Sequence, residues 1–442
     1  VGGAKVGHRS MEPEPFDISL LGKDHKRLRP THHMMRMFGR IYFTQVEAHK
    51  LIAHLPGWFS LTLKLLLSYV ADISWRFRDK NSRRICTGAA GIGRLWLSLK
   101  KRGVPIELNT KMVRLIQENG RVVGVLAKQN GKDYRIQAKK AVVLAAGGFE
   151  RNQAMREQYL PEPTNQAWSG GVESNTGDAI NAGLSLGAAT SQMNGAWWCT
   201  TVSVPNEPAP RLSIMEKSYP GSCVVNSEGK RIANESQNYM AYQLAFFQKH
   251  TDANPCVPAY QIFDARFRRD YIVGPLMSAA LKPDWTIPKQ WFDSKLVGKA
   301  DSVEALAKQV GISATGLKQT ISDMNRYAET GIDVEFQRGE AAYDRYYGDP
   351  RFEPNPCLGK INEAPFYAMR IEPGDFGTQG GLVTNTDAQV LNENGVAIPG
   401  LYAVGNCSAA VLPTYPGPGS TLGPAMTFAY QSAKHIYQWE ER

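Results

Sequence analysis

The sequence predicts an α/β fold in which a domain built around a parallel sheet is interrupted by an α+β insertion. The apolar run AVVLAAGGFERN, Ala141–Asn152, enters two glycines as a buried parallel strand does. A second apolar run, Leu401–Val404, predicts a short buried strand that leads through a glycine-rich loop into a helix. Near residue 200 prolines accumulate and short mixed elements begin. The predicted domains are residues 1–200 and 373–442, which form one domain, and residues 201–372, inserted between them.

Hydrophobic spacing and turn residues predict the remaining elements. Two Asn-Gly pairs, beginning at Asn119 and Asn130, are strong hairpin signals and predict a three-stranded meander. The predicted elements are a helix over Gly93–Lys101, strands over Thr110–Gln117, Arg121–Lys128 and Asp133–Ala138, a loop and helix over Ser169–Gly187 capped by Asn175 or Thr176, a hairpin over Pro220–Tyr239 that turns at Glu228-Gly229, helices over Val303–Val310 and Ala314–Ala328, a strand-turn-strand over Ala388–Ile398 and a helix from Leu422.

Composition and charge narrow the class of protein. With 442 residues, 43% hydrophobic and 21% charged, the chain is long enough for two domains and is neither disordered nor fibrous. The net charge of +10 is partly clustered, in Lys23–Arg29 and Arg76–Arg84. A solvated face without a partner is the favoured interpretation, and an anionic membrane or an acidic thioester substrate remains an alternative. The chain carries no nucleic-acid motif, so we expect no nucleic-acid partner.

The six cysteines are scattered without a CxxC pair, which favours reduced thiols in a cytosolic enzyme over a disulfide framework. Zinc-type spacing is absent from the sequence, and we expect no metal. The apolar segment Trp58–Val70 is too short to span a bilayer and carries Lys64. It predicts a helix packed in the core, with a helix that touches the membrane surface as the alternative. The N-terminus has no signal-peptide pattern.

The glycine- and proline-rich loop TYPGPGSTLGP, which begins at Thr414, lies between the strand at Leu401 and the helix from Leu422. Free backbone N–H groups and the positive end of the helix dipole converge at such a point, so the loop predicts a site for an electron-rich group. An ordinary strand-loop-helix connection is the alternative.

The segments GLYAVGN and TYPGPGSTLGPAMTFAY resemble the C-terminal flavin-binding segment of the 3-ketosteroid Δ1-dehydrogenases. These enzymes belong to the wider FAD-dependent group that includes the soluble fumarate reductases. The runs EPEPFD, NTGD and AWW, and Asn234-Glu235 in RIANESQNY, are similar to further segments of the same family. The resemblance implies a Rossmann-like FAD-binding domain with an inserted substrate domain, and the 1,2-desaturation of 3-ketosteroids in steroid degradation.

The resemblance also implies three catalytic residues. Tyr239 falls where the family keeps its general base, which takes the proton from C2, while the hydride leaves C1 for flavin N5. A packing role on a helix face is the alternative for this tyrosine. The hydroxyl of Tyr415 and the backbone N–H of Gly419 would donate to the C3 carbonyl oxygen and stabilise its developing negative charge.

The expected cofactor contacts follow from the same resemblance. The backbone around Val113 would meet the adenine of FAD, Asp178 would contact the cofactor or act only as a first-turn acid, and the helix N-terminus would stabilise the reduced flavin. The full set of expected cofactor residues is Val113, Ala146, Gly147, Asp178, Gly405, Asn406, Ser420, Thr421 and Leu422.

The chain begins at Val1 without the strand-GxGxxG-helix unit and the second active-site tyrosine that the family carries upstream. We expect a truncated sequence, with a chain that holds FAD poorly, or a non-catalytic steroid-binding paralogue, as alternatives. Δ4-desaturation is a further alternative, which Gly417 disfavours because that branch tends to carry serine there. Fumarate reduction is disfavoured because Phe376–Gln379 offers no histidine. The steroid, the electron acceptor and the oligomeric state are not predicted, and peripheral membrane contact remains open.

Overall fold

A computed structural model describes residues 11–32, 35–52, 55–412, 414 and 419–438. The chain divides into two compact units, Val1–Thr110 and Lys111–Arg442. The domain boundaries expected near residues 200 and 372 remain a prediction, and each unit is considered by itself.

The first unit is mainly helical and has a small core. Phe16 pairs with Ile85 across two short antiparallel strands, and both side chains are buried together with Leu21, Tyr42 and Cys86. Its elements are β1 (Phe16–Asp17), a 3-10 helix (Ile18–Arg27), α1 (Gln45–Ile52), α2 (Trp58–Ala71), α3 (Ile73–Arg76), β2 (Arg84–Ile85) and α4 (Thr87–Lys101).

Helix α4 begins at Thr87, six residues before the predicted start at Gly93. A glycine inside a helix costs about 1 kcal/mol relative to alanine. The glycine-rich segment before Gly93 was therefore not predicted to be helical. Inside the helix, a side chain at Gly93 would run into the ring of Phe16. The absence of a side chain therefore lets the helix lie close to β1.

Helix α2 corrects the prediction of a core helix at Trp58–Val70. Of its side chains only Leu65 is recorded as buried in the described structure, whereas Phe59 is 66% and Leu67 60% exposed. Leu63 and Val70 are exposed on the same helical stripe. In the described part of the chain, no helix has the length and apolar character needed to cross a membrane.

The described residues of the second unit form four sheets. The meander of β3, β4 and β5 is confirmed, and Asn119, Gly120, Asn130 and Gly131 all have positive φ, as tight two-residue hairpin turns require. Its strands are β3 (Thr110–Glu118), β4 (Arg121–Gln129), β5 (Lys132–Gln137), β6 (Val142–Leu144), β7 (Thr190–Ser191), β8 (Ala196–Val202), β9 (Arg211–Leu212), β10 (Ser222–Val225), β11 (Ala259–Phe263), β12 (Val297–Ala300), β13 (Phe366–Thr378), β14 (Gly381–Leu382), β15 (Gln389–Leu391) and β16 (Ala397–Ala403).

The parallel strand predicted within Ala141–Asn152 and the strand predicted at Leu401–Val404 are both present, and they pair with each other. Strand β6 runs parallel to β16, with Val142 opposite Leu401 and Leu144 opposite Ala403, so both strands end at the same sheet edge. Val143 is 42% exposed, so the expectation of a fully buried strand was wrong for this side chain. Successive side chains of a strand point to opposite faces, and here one face is only partly covered.

The long strand β13 organises the largest sheet, in the order β10-β11-β13-β8-β9 with β12 also paired to β13. The predicted helix pair, α10 and α11, buries its apolar face against this sheet, where Leu306 and Leu317 share a core with Ile262. The helices of this unit are α5 (Gln153–Tyr159), α6 (Asp178–Leu184), α7 (Tyr239–Lys249), α8 (Ala265–Asp270), α9 (Lys289–Asp293), α10 (Val303–Val310), α11 (Ala314–Thr330), α12 (Ala342–Tyr346) and α13 (Leu422–Gln438), with short 3-10 helices at Gln166–Trp168, Glu216–Ser218, Asp284–Thr286 and Gly405–Cys407.

Two local predictions need comment. Gly177, in the left-handed region at φ 78°, occupies the N-cap of α6, so neither Asn175 nor Thr176 caps that helix. Asn175 and Thr176 were predicted as N-caps because their side-chain oxygens can accept a hydrogen bond from the first turn. Glycine takes the position instead because it adopts the left-handed conformation at little cost. The turn at Glu228-Gly229 is present, since Asn226 N donates to Lys230 O at 3.0 Å.

All six cysteines lie within the described residues, are buried, and form no disulfide.

Candidate active site

An open cavity with an empty volume of about 370 Å³ lies where β13, β16 and the start of α13 meet. Four of the predicted cofactor residues line it: Gly405 and Asn406 after β16, and Ser420 and Thr421 before α13. Thr378, at the end of β13, lines the same cavity. The structure thus brings residues that are distant in sequence, and that follow strands of two different sheets, together around one cavity.

The turn after β16 opens the cavity. Val404 N and the thiol of Cys407 both donate to the carbonyl of Leu144, at 2.9 and 3.0 Å, which ties this turn to the end of β6. Gly405 lies between them with φ 71°, a conformation that favours glycine. The chain therefore turns away at the strand end and leaves the space above the sheet edge free.

A glycine pair follows β6 at the same edge. A side chain at Gly147, where φ is 80°, would collide with the amide of Asn175, and one at Gly148 would overlap the hydroxyl of Thr378. That hydroxyl accepts a hydrogen bond from Phe149 N at 3.0 Å. Ala146 is exposed just before the pair. Glycine is thus required here because the side chains of Asn175 and Thr378 lie directly against the backbone.

A buried ion pair holds the end of β13, which leads to the cavity. Arg156 Nη1 donates to Asp375 Oδ2 at 2.7 Å, and both side chains are 0% exposed. The other carboxylate oxygen, Oδ1, accepts from Ser169 Oγ at 2.6 Å and from Gly377 N at 3.0 Å. Asp375 therefore fixes the backbone that leads into Thr378.

Glu150 is a second buried carboxyl next to the glycine pair. Burial raises its pKa, although a hydrogen bond from Asn175 Nδ2 to its Oε1 at 2.6 Å opposes that rise. This side chain therefore holds its proton more readily than an exposed glutamate does.

Two expected cofactor contacts, Asp178 and Val113, are not among the described residues that line the cavity. Asp178 is the first residue of α6, and its carboxylate lies 3.6 Å from the ammonium of Lys111. Val113, two positions further along β3, is exposed. A first-turn acid is also what a helix dipole favours, so both interpretations of Asp178 fit its position.

Tyr239 is the first residue of α7 and is buried. Its ring meets Phe376 edge-to-face, with the ring centres 5.5 Å apart, and Phe376 lies two residues before Thr378. The described residues that line the cavity do not include Tyr239. This tyrosine therefore packs against Phe376, close to the end of the strand that reaches the cavity.

The loop before α13 is only partly described. Tyr415 lies outside the described residues. Gly419 is exposed with φ 93°, its carbonyl accepts from Gly423 N at 2.8 Å, and Leu422 begins α13 with an exposed side chain.

Most of the described residues that line the cavity were not predicted, and Trp197, Gln379 and Phe428 are the largest of these side chains. The AWW run drew attention to Trp197 only as a landmark. Phe428 follows Pro424 and Ala425, which also line the cavity, at helical spacing. This spacing could have predicted that Phe428 faces the same site as the start of α13.

The residues present fit the flavin end of FAD. Gly405 lines the cavity without a side chain, which allows close approach of a flat ring, and Ser420 and Thr421 line it at the start of a long helix. A helix N-terminus favours negative charge.

Comparisons with known proteins agree with this geometry. The family model described as FAD binding domain matches residues 4–422. A 3-oxosteroid 1-dehydrogenase of Mycobacterium tuberculosis is 39% identical over 98% of this chain and 77% of its own length. The enzyme of the same name from Comamonas testosteroni is 34% identical over 97% of this chain and 75% of its own. The chain belongs to the 3-oxosteroid 1-dehydrogenase family of FAD-binding oxidoreductases.

A solved structure supports the same assignment. The 3-ketosteroid Δ1-dehydrogenase of Sterolibacterium denitrificans, in complex with 1,4-androstadiene-3,17-dione, is 45% identical and matches with a TM-score of 0.95, covering 98% of this chain and 78% of that one. A flavocytochrome c3 fumarate reductase matches at 26% identity with a TM-score of 0.54. The resemblance, the fold class and the cofactor expected from the sequence are confirmed.

Proposed function

We propose that this chain catalyses FAD-dependent 1,2-desaturation of a 3-ketosteroid in steroid degradation. The observation that carries the proposal is the match to the Sterolibacterium denitrificans enzyme, at 45% identity over 98% of this chain. That enzyme was crystallised with a 1,4-diene-3-one, the type of product that 1,2-desaturation yields.

In this proposal the C3 carbonyl of the steroid is held by donors from the loop before α13. Bound FAD supplies the acceptor for the hydride from C1. The backbone N–H of Gly419 and the hydroxyl of Tyr415 would donate to the carbonyl oxygen, where negative charge develops as the C2 proton leaves. The loss of one such donor typically raises the barrier by about 2.7–4 kcal/mol.

Tyr239 would take the C2 proton. Its position as the first residue of α7 supports this role, because the N-terminal end of a helix stabilises an anion such as a phenolate. Asn238 caps the helix through its Oδ1, which accepts from Met240 N at 3.0 Å and so fixes the first turn.

Turnover assays with a reducible dye test the proposal. Androst-4-ene-3,17-dione should be converted to the 1,4-diene. Introduction of a Δ4 double bond into a saturated 5α-ketosteroid, without 1,2-desaturation, would instead indicate Δ4 chemistry. Reduction of fumarate would indicate a dicarboxylate reductase. Tyr239→Phe should abolish exchange of the C2 hydrogen with deuterated solvent while flavin content is retained. Exchange that persists at the wild-type rate would place the base elsewhere.

We propose further that this enzyme is cytosolic and that its helix α2 makes peripheral contact with anionic lipid. The exposed apolar stripe at Phe59, Leu63, Leu67 and Val70 supports this contact, and Lys64 is exposed on the same helix. A basic residue near an anionic surface contributes about 1 kcal/mol. The buried, unpaired thiols agree with the cytosol.

A further inference from the structure

We infer that Lys217 is a positioning residue for Tyr239, which it holds in place through the segment Glu235–Asn238. The inference rests on the proposed desaturation, in which Tyr239 takes the C2 proton. Lys217 does not act on the substrate in this proposal. Its ammonium fixes the backbone from which the tyrosine starts.

Lys217 is buried, at 2% exposure, and its ammonium lies under that segment. Its Nζ donates to the carbonyl of Glu235 at 2.6 Å and to the carbonyl of Gln237 at 3.0 Å. Gln237 directly precedes Asn238, the N-cap of α7. Both hydrogen bonds therefore hold the chain immediately before Tyr239.

The same ammonium contacts the first turn of α7. It lies 4.8 Å from the centre of the Tyr242 ring, over its face. Tyr242 follows Tyr239 by three positions, so the two side chains share one side of the helix. Lys217 thus fixes both the entry into the helix and the direction in which its first turn points.

The other side of the segment is held by two arginines. The buried carboxylate of Glu235 accepts from Arg231 Nη2 at 2.7 Å and from Arg338 Nη1 at 3.3 Å. Arg338 Nη2 also donates to the carbonyl of Lys217 at 3.2 Å. The segment is therefore held through its side chain by arginines and through its backbone by Lys217.

If residue 217 only filled space in the core, its side chain would not need a charge. Burial lowers the pKa of Lys217 to about 8, so the fold tolerates an ammonium that it partly disfavours. Cys199, Glu216, Glu235 and Arg338 are the charged or titratable groups that act on it. An apolar side chain of similar length fills the same space without that cost, but it cannot donate to the two carbonyls.

Lys249 offers a matched control on the same helix. Its ammonium donates to the carbonyl of Ile232 and lies 4.5 Å from the centre of the Phe336 ring, which are the same two kinds of contact. It is, however, exposed at the far end of α7. Lys249→Met should therefore remove comparable contacts without moving Tyr239.

The test compares Lys217→Met, Lys217→Arg and Lys249→Met as holoenzymes. A displacement of about 1 Å of a catalytic group costs about 100-fold in rate. We expect Lys217→Met to lower kcat and C2 hydrogen exchange by about that factor, with KM and flavin content close to wild type. Lys217→Arg, which keeps the charge and the donors, should recover most of both rates, and Lys249→Met should change neither.

Two results overturn the inference: wild-type kcat and exchange in Lys217→Met, or equal losses in Lys217→Met and Lys249→Met. If Lys217→Met does not fold, Lys217→Arg decides by its exchange rate, which must stay near that of the wild type. Amide hydrogen exchange of the peptide over 235–242 is read in parallel and needs no turnover. Faster amide exchange in Lys217→Met alone supports the positioning role even if the wild type fails to desaturate a steroid, an outcome that would reject only the proposed function.

Discussion

The ion pair beneath the cavity makes the strongest stability prediction. We expect Asp375→Asn to lower the free energy of unfolding by about 3–5 kcal/mol, because it leaves a buried guanidinium without its counter-charge. Asp375 Oδ1 accepts two donors, and Oδ2 accepts Arg156. An asparagine amide has one oxygen, so in either orientation its NH₂ group faces a donor: Gly377 N–H in one, the guanidinium in the other.

The measurement is urea unfolding at constant pH, with midpoint and slope compared between variants, since an unchanged slope shows that stability alone has changed. Glu118→Gln is the control, because it breaks an ion pair with Arg135 in which the two side chains are 55% and 61% exposed. Such exposed pairs contribute about 0–1 kcal/mol. If Asp375→Asn loses no more stability than Glu118→Gln, the ion pair does not support this edge as argued.

Three further substitutions test the glycine pair, helix α2 and the loop before α13. Gly148→Ala should reduce flavin retention, because the added methyl group displaces Thr378, whereas Gly88→Ala, with open space around it, should not. Leu67→Glu should weaken flotation with anionic vesicles and leave kcat unchanged. Leu281→Glu, at another exposed leucine, is its control, and equal binding by both variants would exclude α2 as the contact. Tyr415→Phe should slow turnover by about 100–1,000-fold at full flavin content, and unchanged turnover would reject its role.

The parts of the fold that depend on local signals were predictable. The Asn-Gly turns and the helix pair Val303–Val310 and Ala314–Thr330 appear where the sequence places them, because turn residues and amphipathic spacing act over a few residues. The start of α4 was missed because glycine has a low helix propensity, and the cap of α6 was missed because it depends on the backbone geometry of Gly177. Sequence pattern alone does not show what a glycine packs against.

The exposed face of α2 was missed for a different reason. Periodicity predicts which side chains of a helix share a face, but not whether another element covers that face. Leucines at helical spacing therefore suggested core packing, and only the exposure of Leu63 and Leu67 shows otherwise.

The candidate site was predictable where it follows the backbone and not where it depends on long-range side-chain pairs. Gly405, Asn406, Ser420 and Thr421 could be named because the segments that carry them resemble the flavin-binding segment of a known family. The partnership of Arg156 with Asp375, 219 positions apart, leaves no local signal in a single sequence. The same holds for Lys217 and the carbonyls that precede Tyr239.

The Arg156–Asp375 ion pair and the contacts of Lys217 hold different parts of the site. The ion pair holds residues expected at the cofactor, and Lys217 holds the segment before the proposed base. Asp375 fixes the end of β13, which provides Thr378 to the cavity and Phe376 to the ring of Tyr239, so its loss should lower flavin content and C2 exchange together. Lys217 contacts the segment before α7 and Tyr242, so its loss should lower exchange while flavin content stays constant. Flavin content measured beside exchange in Asp375→Asn and Lys217→Met therefore distinguishes the two supports. Parallel loss of both properties in both variants would mean that the site has one common support.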